Sequence, residues 1–225
     1  MNYNWLSDTD RKVIELSGFG KKSGLGKKPV IMVIDAQKKF VGVDKPILES
    51  MALYPLSIGE KAFKALDQIK KVIEAGRKRQ IPIFYTTSGF LKDEMVFNTF
   101  AKKRIRHEDS KIIPEDGDEI IESIQPLEGD FKVHKRFSSA FFGTPLISFL
   151  NMLHCDTLIV TGFTTSGCIR AFVIDAASYN YSVAVVKDCV ADRFDMSHES
   201  SLFDMNLKHA DVVMSEDIME YFNHL

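Results

Sequence analysis

Short runs of β-branched and apolar residues alternate with longer segments of helical periodicity along most of this 225-residue chain. The run "PVIMVID" (29–35) is apolar up to its final aspartate, as is typical of a strand buried on both faces of a sheet. The segment at 58–78 places apolar residues at helical spacing, and "IPIFYTT" (81–87) is again strand-like. Repeated strand–helix–strand units favour a mostly parallel sheet with helices on both faces. We therefore predict one α/β domain with three layers, α/β/α.

The later part of the chain repeats this alternation. Further strands are predicted at 131–137, 156–162, 181–188 and 211–215, and further helices at 144–154, 168–180 and 198–210. The segment from Ser88 to Asp130 is irregular, apart from a short helix predicted within "EDGDEIIESIQP". We expect this segment to cover the site. Its aromatic residues either line a pocket or pack beneath the loop; they are Phe90, Phe97 and Phe100.

Charge and composition exclude several classes of partner. The net charge is −2, and the basic cluster "AKKRIRH" (101–107) is followed at once by acidic residues, which indicates a solvated face. We therefore expect binding neither to nucleic acid nor to a membrane surface. No run of about 18 apolar residues is present, and the N-terminus lacks an apolar signal core. An odd number of cysteines, three, favours reduced thiols and a cytoplasmic location.

Residues 1–28 are predicted to form an N-terminal arm ahead of a domain at 29–225. The stretch "GFGKKSGLGKK" resembles a phosphate-binding loop, but its glycine spacing is wrong and Lys28 stands where Ser or Thr is needed. We therefore predict a flexible segment leading into the first strand. Trp5 and a short helix beginning near Asp8 are expected to dock on a neighbouring subunit.

Ligands of parallel sheets bind outside the carboxyl ends of the strands, so polar residues at strand ends are the candidates for a site. Asp35 ends the first strand, where it is either a reactive carboxylate or a helix cap or loop ion pair. Gln37, two residues later, either holds that carboxylate or faces solvent. Lys135 shares one face of its strand with two apolar residues, so it is either paired with a carboxylate or extends to the sheet edge.

Cys168 lies in "VTGFTTSGCIRAF" (160–172), where a strand turns into a helix. The N–H groups and dipole of a helix N-terminus favour a thiolate and can also bind an oxyanion. The alternative is a small buried side chain, which is the role that we assign to Cys155 and Cys189. A Cys–His–Asp set built from Cys168, His198 and Asp188 is a weaker alternative.

Arg193 follows the last long strand, where a guanidinium can grip a carboxylate with two hydrogen bonds. The alternative is an exposed arginine paired with Asp192 or Asp195. The six histidines are scattered, with no pair at metal-ligand spacing, so we predict no metal and no cofactor.

Three segments together resemble the isochorismatase-like cysteine hydrolases over nearly the whole chain: "VIMVIDAQKKF", "VHKRFSSAFFGTPL" and "VTGFTTSGCIRAFVIDAASYNYSVAVVKDCVADR". Further matches, "YPLSIGEKAFKAL", "TSGCIRA" and "ADR", resemble the N-carbamoylsarcosine and maleamate amidohydrolases of that superfamily. The nicotinamidases of the same superfamily carry a metal site after the first strand. The corresponding region here, "VGVDKPILES", has no histidine.

The resemblance implies a catalytic triad of Asp35, Lys135 and Cys168, with an oxyanion hole formed by Thr164 and Cys168. It implies a cis peptide bond before Thr164 and a substrate carboxylate held by Arg193. Gln37 and Thr165 are further candidates for substrate contact, and Thr165 is alternatively part of the helix cap.

The activity that the resemblance implies is hydrolysis of a small carboxylate-bearing amide or ureido compound with release of ammonia, by a homo-oligomer, either dimer or tetramer. Three alternatives remain open at this stage. They are a nicotinamidase-like or ureidoacrylate-like amidase, a non-catalytic binding module of the same fold, and a redox protein, for which no resolving cysteine lies nearby.

Overall fold

The computed structural model describes residues 5–89 and 114–225. Within them lies one six-stranded sheet in the order β3-β2-β1-β4-β5-β6, in which every neighbouring pair is parallel. The strands are β1 (Pro29–Ile34), β2 (Ile83–Ser88), β3 (Phe131–Lys135), β4 (Thr157–Phe163), β5 (Ser182–Ala191) and β6 (Asp211–Val213). The predicted strands and the parallel sheet are thus confirmed. Phe90, Phe97, Phe100 and the basic cluster at 101–107 lie outside the described residues.

Eight α-helices occur in the described part of the chain, and none of them is long and apolar enough to cross a membrane. They are α1 (Asp8–Ser17), α2 (Lys38–Val41), α3 (Ile47–Leu53), α4 (Glu60–Lys78), α5 (Leu146–Met152), α6 (Arg170–Ser178), α7 (Asp195–Lys208) and α8 (Ser215–Asn223).

The core has two layers, one on each face of the sheet, because successive side chains of a strand point to opposite faces. Ile31 and Val33 of β1 pack in the layer beneath α4 and α8. Val30, Met32 and Ile34 pack in the layer formed with α5, α6 and α7. All six residues of β1 are buried, as a strand covered by helices on both faces requires. The three-layer α/β/α prediction is therefore confirmed.

The centre of the sheet is very tightly packed where β1 meets β4. Gly162 has a φ of +107°, and a Cβ atom there would lie 2.0 Å from the carbonyl oxygen of Ile34. Only glycine allows the two backbones to approach so closely at this backbone conformation. The register between β4 and β5 shifts between Val160 and Gly162, directly before the strand runs into the turn that carries Cys168.

Part of the local structure differs from the prediction. The helix predicted within 115–126 is wrong: two short 3₁₀ turns, Glu115–Asp118 and Glu122–Ile124, occur there. This segment is instead held by bonds to the end of β1, including an antiparallel bridge between Gln37 and Ile120. The helices α2, α3 and α8 were not predicted. The first two are short and lack a full amphipathic period.

The segment that leads into β1 is anchored, so the prediction of a flexible segment is wrong. The backbone N–H groups of Ser23 and Gly24 donate to the carboxylate of Asp211, and those at 27 and 28 donate to the carboxylate of Asp156. Two aspartates at the starts of β6 and β4 therefore hold the chain. The ring of Trp5 packs edge-on against Phe203 of α7 in the same chain, with ring centroids 4.9 Å apart. Docking on a neighbouring subunit stays a prediction.

Candidate active site

The carboxyl ends of three parallel strands bring Asp35, Lys135 and Cys168 together. Lys135 Nζ lies 2.7 Å from Asp35 Oδ2 and donates a hydrogen bond to Cys168 Sγ at 3.2 Å. The same ammonium group also donates to the carbonyl oxygen of Phe137 at 3.2 Å. One buried lysine therefore contacts both a carboxylate and a thiol, which are the two other members of the predicted triad.

Asp35 is fully buried and is held by the neighbouring strand β2. Its N–H donates to the Thr86 carbonyl, and the Thr86 hydroxyl donates to Asp35 Oδ1 at 2.6 Å. The backbone of Asp35 has a φ of +48°, a left-handed conformation that costs a non-glycine residue about 1–3 kcal/mol. Among the described residues, Oδ2 accepts no hydrogen bond of good geometry, so its contact with Lys135 is an ion pair. Oδ2 is thus the oxygen available to accept a proton.

Lys135 is 1% exposed, so its aliphatic stem does not extend to solvent. Burial disfavours its charge, but the Asp35 carboxylate and the Cys168 thiol outweigh this effect and raise the pKa of Lys135 above its usual range. The residue is therefore a fixed positive charge at neutral pH. The alternation of β3 predicted this buried side correctly, since Val133 and Lys135 are buried while Lys132 and His134 are exposed.

Cys168 is partly exposed as a residue, but its thiol is surrounded by protein atoms. Burial, followed by the charge of Asp35, raises the pKa of Cys168 to about 12, against the opposing effect of Lys135. Burial and Asp35 therefore act on the pKa of Cys168 against the thiolate that a helix N-terminus is expected to favour. Helix α6 begins at Arg170, and Cys168 lies in the π-helical turn Thr165–Ile169 that precedes it. The thiol carries its proton at neutral pH.

The turn before Cys168 has an unusual backbone. The peptide bond between Phe163 and Thr164 is cis, at the position where the family resemblance implies one. The Thr164 carbonyl accepts hydrogen bonds from the N–H groups of Gly167 at 3.1 Å and Ile169 at 3.2 Å, which lie on either side of Cys168 in the chain.

Two side chains from the β5–α7 region hold the next residues of this turn. Thr165 is fully buried, and its hydroxyl lies 2.8 Å from His198 Nδ1. The N–H and the hydroxyl of Ser166 both donate to Asp192 Oδ2, each at 2.7 Å. The hydroxyl of Thr165 is thus occupied inside the protein, and its contact with substrate stays a prediction.

The Cys–His–Asp alternative is not formed. The imidazole of His198 is bonded to Thr165, while the carboxylate of Asp188 accepts hydrogen bonds from the N–H and the hydroxyl of Ser215 at the start of α8. Asp188 therefore acts as a helix cap.

Gln37 does not face solvent, and its role in substrate binding stays a prediction. It is fully buried, its Nε2 donates to the carbonyl oxygens of Ser88 and Asp118, and its Oε1 accepts from the N–H of Ser88. The amide thus joins β2 to the 3₁₀ turn beside it. Lys39, which sequence reasoning missed, supports the same junction by contacting the Ser88 carbonyl and Asp118. A lysine doublet carries no signal for which of its members is buried.

Arg193 lies at the carboxyl end of the sheet, just after β5. Its Nε donates to the carbonyl oxygen of Leu56 at 2.7 Å, and Nη2 contacts the same oxygen. The two aspartates of the alternative prediction have these partners: Asp192 accepts hydrogen bonds from Ser166 and from the Arg193 N–H, and Asp195 pairs with Lys61. The guanidinium is therefore oriented by the loop before α4.

A pocket of about 410 Å³ lies between α4, the end of β5 and the start of α7. None of the three triad residues lines it, so it is distinct from the triad. Its lining residues are Lys61, Lys64, Ala65, Gln68, Asp188, Val190, Ala191, Asp192, Asp195 and His198. In the part of the chain that the structure describes, no cluster of three or more His, Cys, Asp or Glu side chains has the arrangement of a metal site.

Comparison with known proteins agrees with this architecture. The chain is 29% identical to maleamate amidohydrolase of Pseudomonas putida over 215 residues, covering 92% of each chain. It is 26% identical to N-carbamoylsarcosine amidase of Arthrobacter sp., covering 92% of this chain and 76% of the relative. The crystal structure of N-carbamoylsarcosine amidase from Thermoplasma acidophilum superposes with a TM-score of 0.63 at 27% identity, covering 84% of this chain and 98% of the other. The model of the isochorismatase domain matches residues 29–217, and the protein therefore belongs to the isochorismatase family.

Proposed function

We propose that this protein is a cysteine-dependent amidohydrolase that cleaves a carbon–nitrogen bond of a small carboxylate-bearing amide or ureido compound and releases ammonia. The coarse class, a hydrolase of carbon–nitrogen bonds other than peptide bonds, follows from the family and its named relatives. The observation that carries the finer proposal is the contact of Lys135 Nζ with both Asp35 Oδ2 and Cys168 Sγ.

The first step is attack of the Cys168 sulfur on the substrate carbonyl carbon. Because the pKa of Cys168 is raised to about 12, the thiol needs a base when the sulfur–carbon bond forms. Asp35 Oδ2 accepts this proton, since Oδ1 is already occupied by the Thr86 hydroxyl. The Lys135 ammonium stabilises the negative charge as it moves from the carboxylate to the sulfur.

The carbonyl oxygen becomes an oxyanion in this step, and we assign its stabilisation to the N–H groups of Thr164 and Cys168. The π-helical turn supports this assignment, because the Thr164 carbonyl engages the N–H groups that flank Cys168. Loss of one such donor typically costs about 3–4 kcal/mol of transition-state stabilisation.

The second and third steps return the protons. The tetrahedral intermediate collapses, the carbon–nitrogen bond breaks, and Asp35 gives its proton to the departing ammonia, which leaves a thioester on Cys168. Asp35 then takes a proton from water as the water oxygen attacks the thioester carbon. The carbon–sulfur bond breaks, and the sulfur recovers the proton.

Arg193 is the proposed anchor for a carboxylate at the other end of the substrate. Maleamate and N-carbamoylsarcosine, after which two of the relatives are named, each carry a carboxylate as well as an amide or ureido group. A guanidinium has five N–H donors in one plane, and the Leu56 carbonyl fixes that plane through Nε and Nη2. Such preorientation favours bidentate binding of a carboxylate.

The test is a substrate panel read by ammonia release, with maleamate, N-carbamoylsarcosine, ureidoacrylate and nicotinamide. We expect turnover of at least one acid substrate and little turnover of nicotinamide. Turnover restricted to nicotinamide would contradict the carboxylate requirement, and an absence of turnover with every amide would contradict the proposed function.

A further inference from the structure

Asp192 and His198 lie next to one another at the end of β5 and the start of α7, outside the proposed triad. Asp192 is 4% exposed, and its carboxylate accepts three hydrogen bonds. Oδ2 accepts the N–H and the hydroxyl of Ser166, and Oδ1 accepts the N–H of Arg193, all at 2.7 Å. This carboxylate therefore joins the turn that carries Cys168 to the residue proposed to hold the substrate carboxylate.

His198 makes the matching contact one residue earlier in the turn. Its Nδ1 lies 2.8 Å from the hydroxyl of Thr165, which is fully buried. Thr165 and Ser166, which are consecutive, are thus held by two side chains, one from the connection after β5 and one from the first turns of α7. The first N–H groups of a helical turn have no partner within the turn, and Asp192 supplies a charged acceptor for one of them.

We propose that Asp192 and His198 are positioning residues that hold the Thr165–Ile169 turn in the one arrangement that places Cys168 Sγ against Lys135 Nζ. Neither acts on the reacting atoms: Asp192 acts through Ser166, and His198 acts through Thr165. The catalytic consequence rests on the proposed function. The reactivity of the Cys168 thiol can be measured without any substrate, so the two proposals can fail separately.

The chain offers a matched control for Asp192. Asp188 lies on β5, four residues before Asp192, and lines the same pocket. It likewise accepts hydrogen bonds from the N–H and the hydroxyl of one serine, those of Ser215 at the start of α8, at 2.8 Å and 2.6 Å. The helix that it caps is α8, which does not carry the nucleophile. Asp188→Asn therefore reproduces the loss of a cap without touching the Cys168 turn.

The test measures the rate at which iodoacetamide alkylates Cys168 at pH 8, with the rate of Cys168→Ala subtracted for the other thiols. We expect Asp192→Asn to raise this rate at least about fivefold, because a loosened turn exposes the thiol and returns its pKa toward the ordinary value. Turnover of a substrate found in the panel should fall about 10- to 100-fold in kcat with KM changed less than about threefold, as for a misplaced catalytic group. Asp188→Asn should leave the alkylation rate unchanged. Equal alkylation rates in wild type, Asp192→Asn and Asp188→Asn would overturn the proposal.

Two further sets of variants keep the test valid if Asp192→Asn fails to fold. Ser166→Ala removes only the hydroxyl donor of an exposed residue and should raise the alkylation rate in the same direction. His198→Asn keeps a polar atom near the Nδ1 position. Its alkylation rate should therefore stay closer to that of wild type than the rate of His198→Leu does. If His198 acts through Thr165, then adding Thr165→Val to His198→Leu should cause no further change. Additive effects, or no effect of Ser166→Ala and His198→Leu on alkylation, would contradict the positioning role. If neither the wild-type protein nor any variant releases ammonia, the proposed function is wrong. The alkylation rates still test the positioning role in that case.

Discussion

Lys135 Nζ lies 2.7 Å from Asp35 Oδ2, and both side chains are almost completely buried. The pair joins the ends of β3 and β1 across the intervening β2. Bringing two opposite charges out of water is costly, and their mutual attraction offsets that cost only while both are present. The pair therefore makes the stability of the sheet edge depend on the same residues that the proposed chemistry uses.

Removing one charge of this pair should be more harmful than removing both. We expect Asp35→Asn and Lys135→Met each to lower the free energy of unfolding by about 3–5 kcal/mol, because the remaining charge is left buried and unpaired. The double variant should lose less stability than either single variant, although it should be inactive. Urea unfolding measures these values. The exposed pair Lys61–Asp195 is the control, and its removal should cost less than about 1 kcal/mol. Additive losses at the buried pair would contradict the coupling.

Cys168→Ala should abolish ammonia release while leaving the fold intact, since the residue is partly exposed and small. Cys155→Ala is the matched control, because Cys155 is likewise partly exposed and its thiol donates to the carbonyl of Thr157, remote from the triad. We expect its activity to stay within about twofold of wild type, as is usual for variants that do not touch reacting atoms. Residual turnover in Cys168→Ala would remove the nucleophile from the mechanism.

Arg193→Ala should raise KM for acid substrates by about 10- to 100-fold, since charge-assisted bonds to a carboxylate are worth about 1.5–3 kcal/mol. A neutral amide of similar size should lose much less. Arg170→Ala provides a control for the loss of an arginine, because Arg170 is about two-fifths exposed and pairs with Asp204 on the surface. Steady-state kinetics on matched acid and neutral substrates decide this prediction. Equal losses on both would contradict the anchor role.

Stability should fall in alkaline solution because of the buried thiols. Burial raises the pKa of Cys168 and of Cys155 to about 12 and raises that of Cys189 as well, whereas the pKa of a thiol in the unfolded chain is about 8.5. The stabilisation is therefore complete below about pH 8.5 and is lost as the pH rises towards the folded-state values. Urea unfolding between pH 8 and 10.5 should show this decline, and Cys189→Ala should make it shallower. A slope that Cys189→Ala leaves unchanged would contradict the assignment.

Gly162 should be irreplaceable at the centre of the sheet. A Cβ atom at this position would lie 2.0 Å from the carbonyl oxygen of Ile34, so β1 and β4 would have to separate. We expect Gly162→Ala to lower the free energy of unfolding by more than about 3 kcal/mol. Gly129→Ala is the control, because Gly129 also has a positive φ, +92°, but nothing lies within 4 Å of its Cβ position. It should lose only about 1 kcal/mol. Similar losses in both variants would show that backbone strain, rather than the contact with Ile34, sets the requirement.

The pattern of apolar and polar residues predicts the sheet and the end of it that carries the candidate site. Continuous apolar runs predicted strands buried on both faces, and alternation in "FKVHK" placed Lys135 on the buried side, which the structure confirms. These features are local: a strand's periodicity is readable because neighbouring side chains point to opposite faces. The positions of Asp35 and Lys135 at strand ends follow from the same pattern, as does the turn before Cys168.

Tertiary structure alone decided what each polar side chain contacts. Gln37 and Thr165 have residue types suited to substrate contact. In the structure the Gln37 amide joins two backbone segments, and the Thr165 hydroxyl contacts His198, which lies on a helix far away in the sequence. The pKa of the Cys168 thiol is likewise raised by burial and by the charge of Asp35, neither of which the local sequence around Cys168 indicates. Hydrogen bonds and desolvation depend on groups that are far apart in the chain. The spacing of residues in a sequence therefore predicts where a side chain lies on its own element, and only the packed structure decides which partner it meets there.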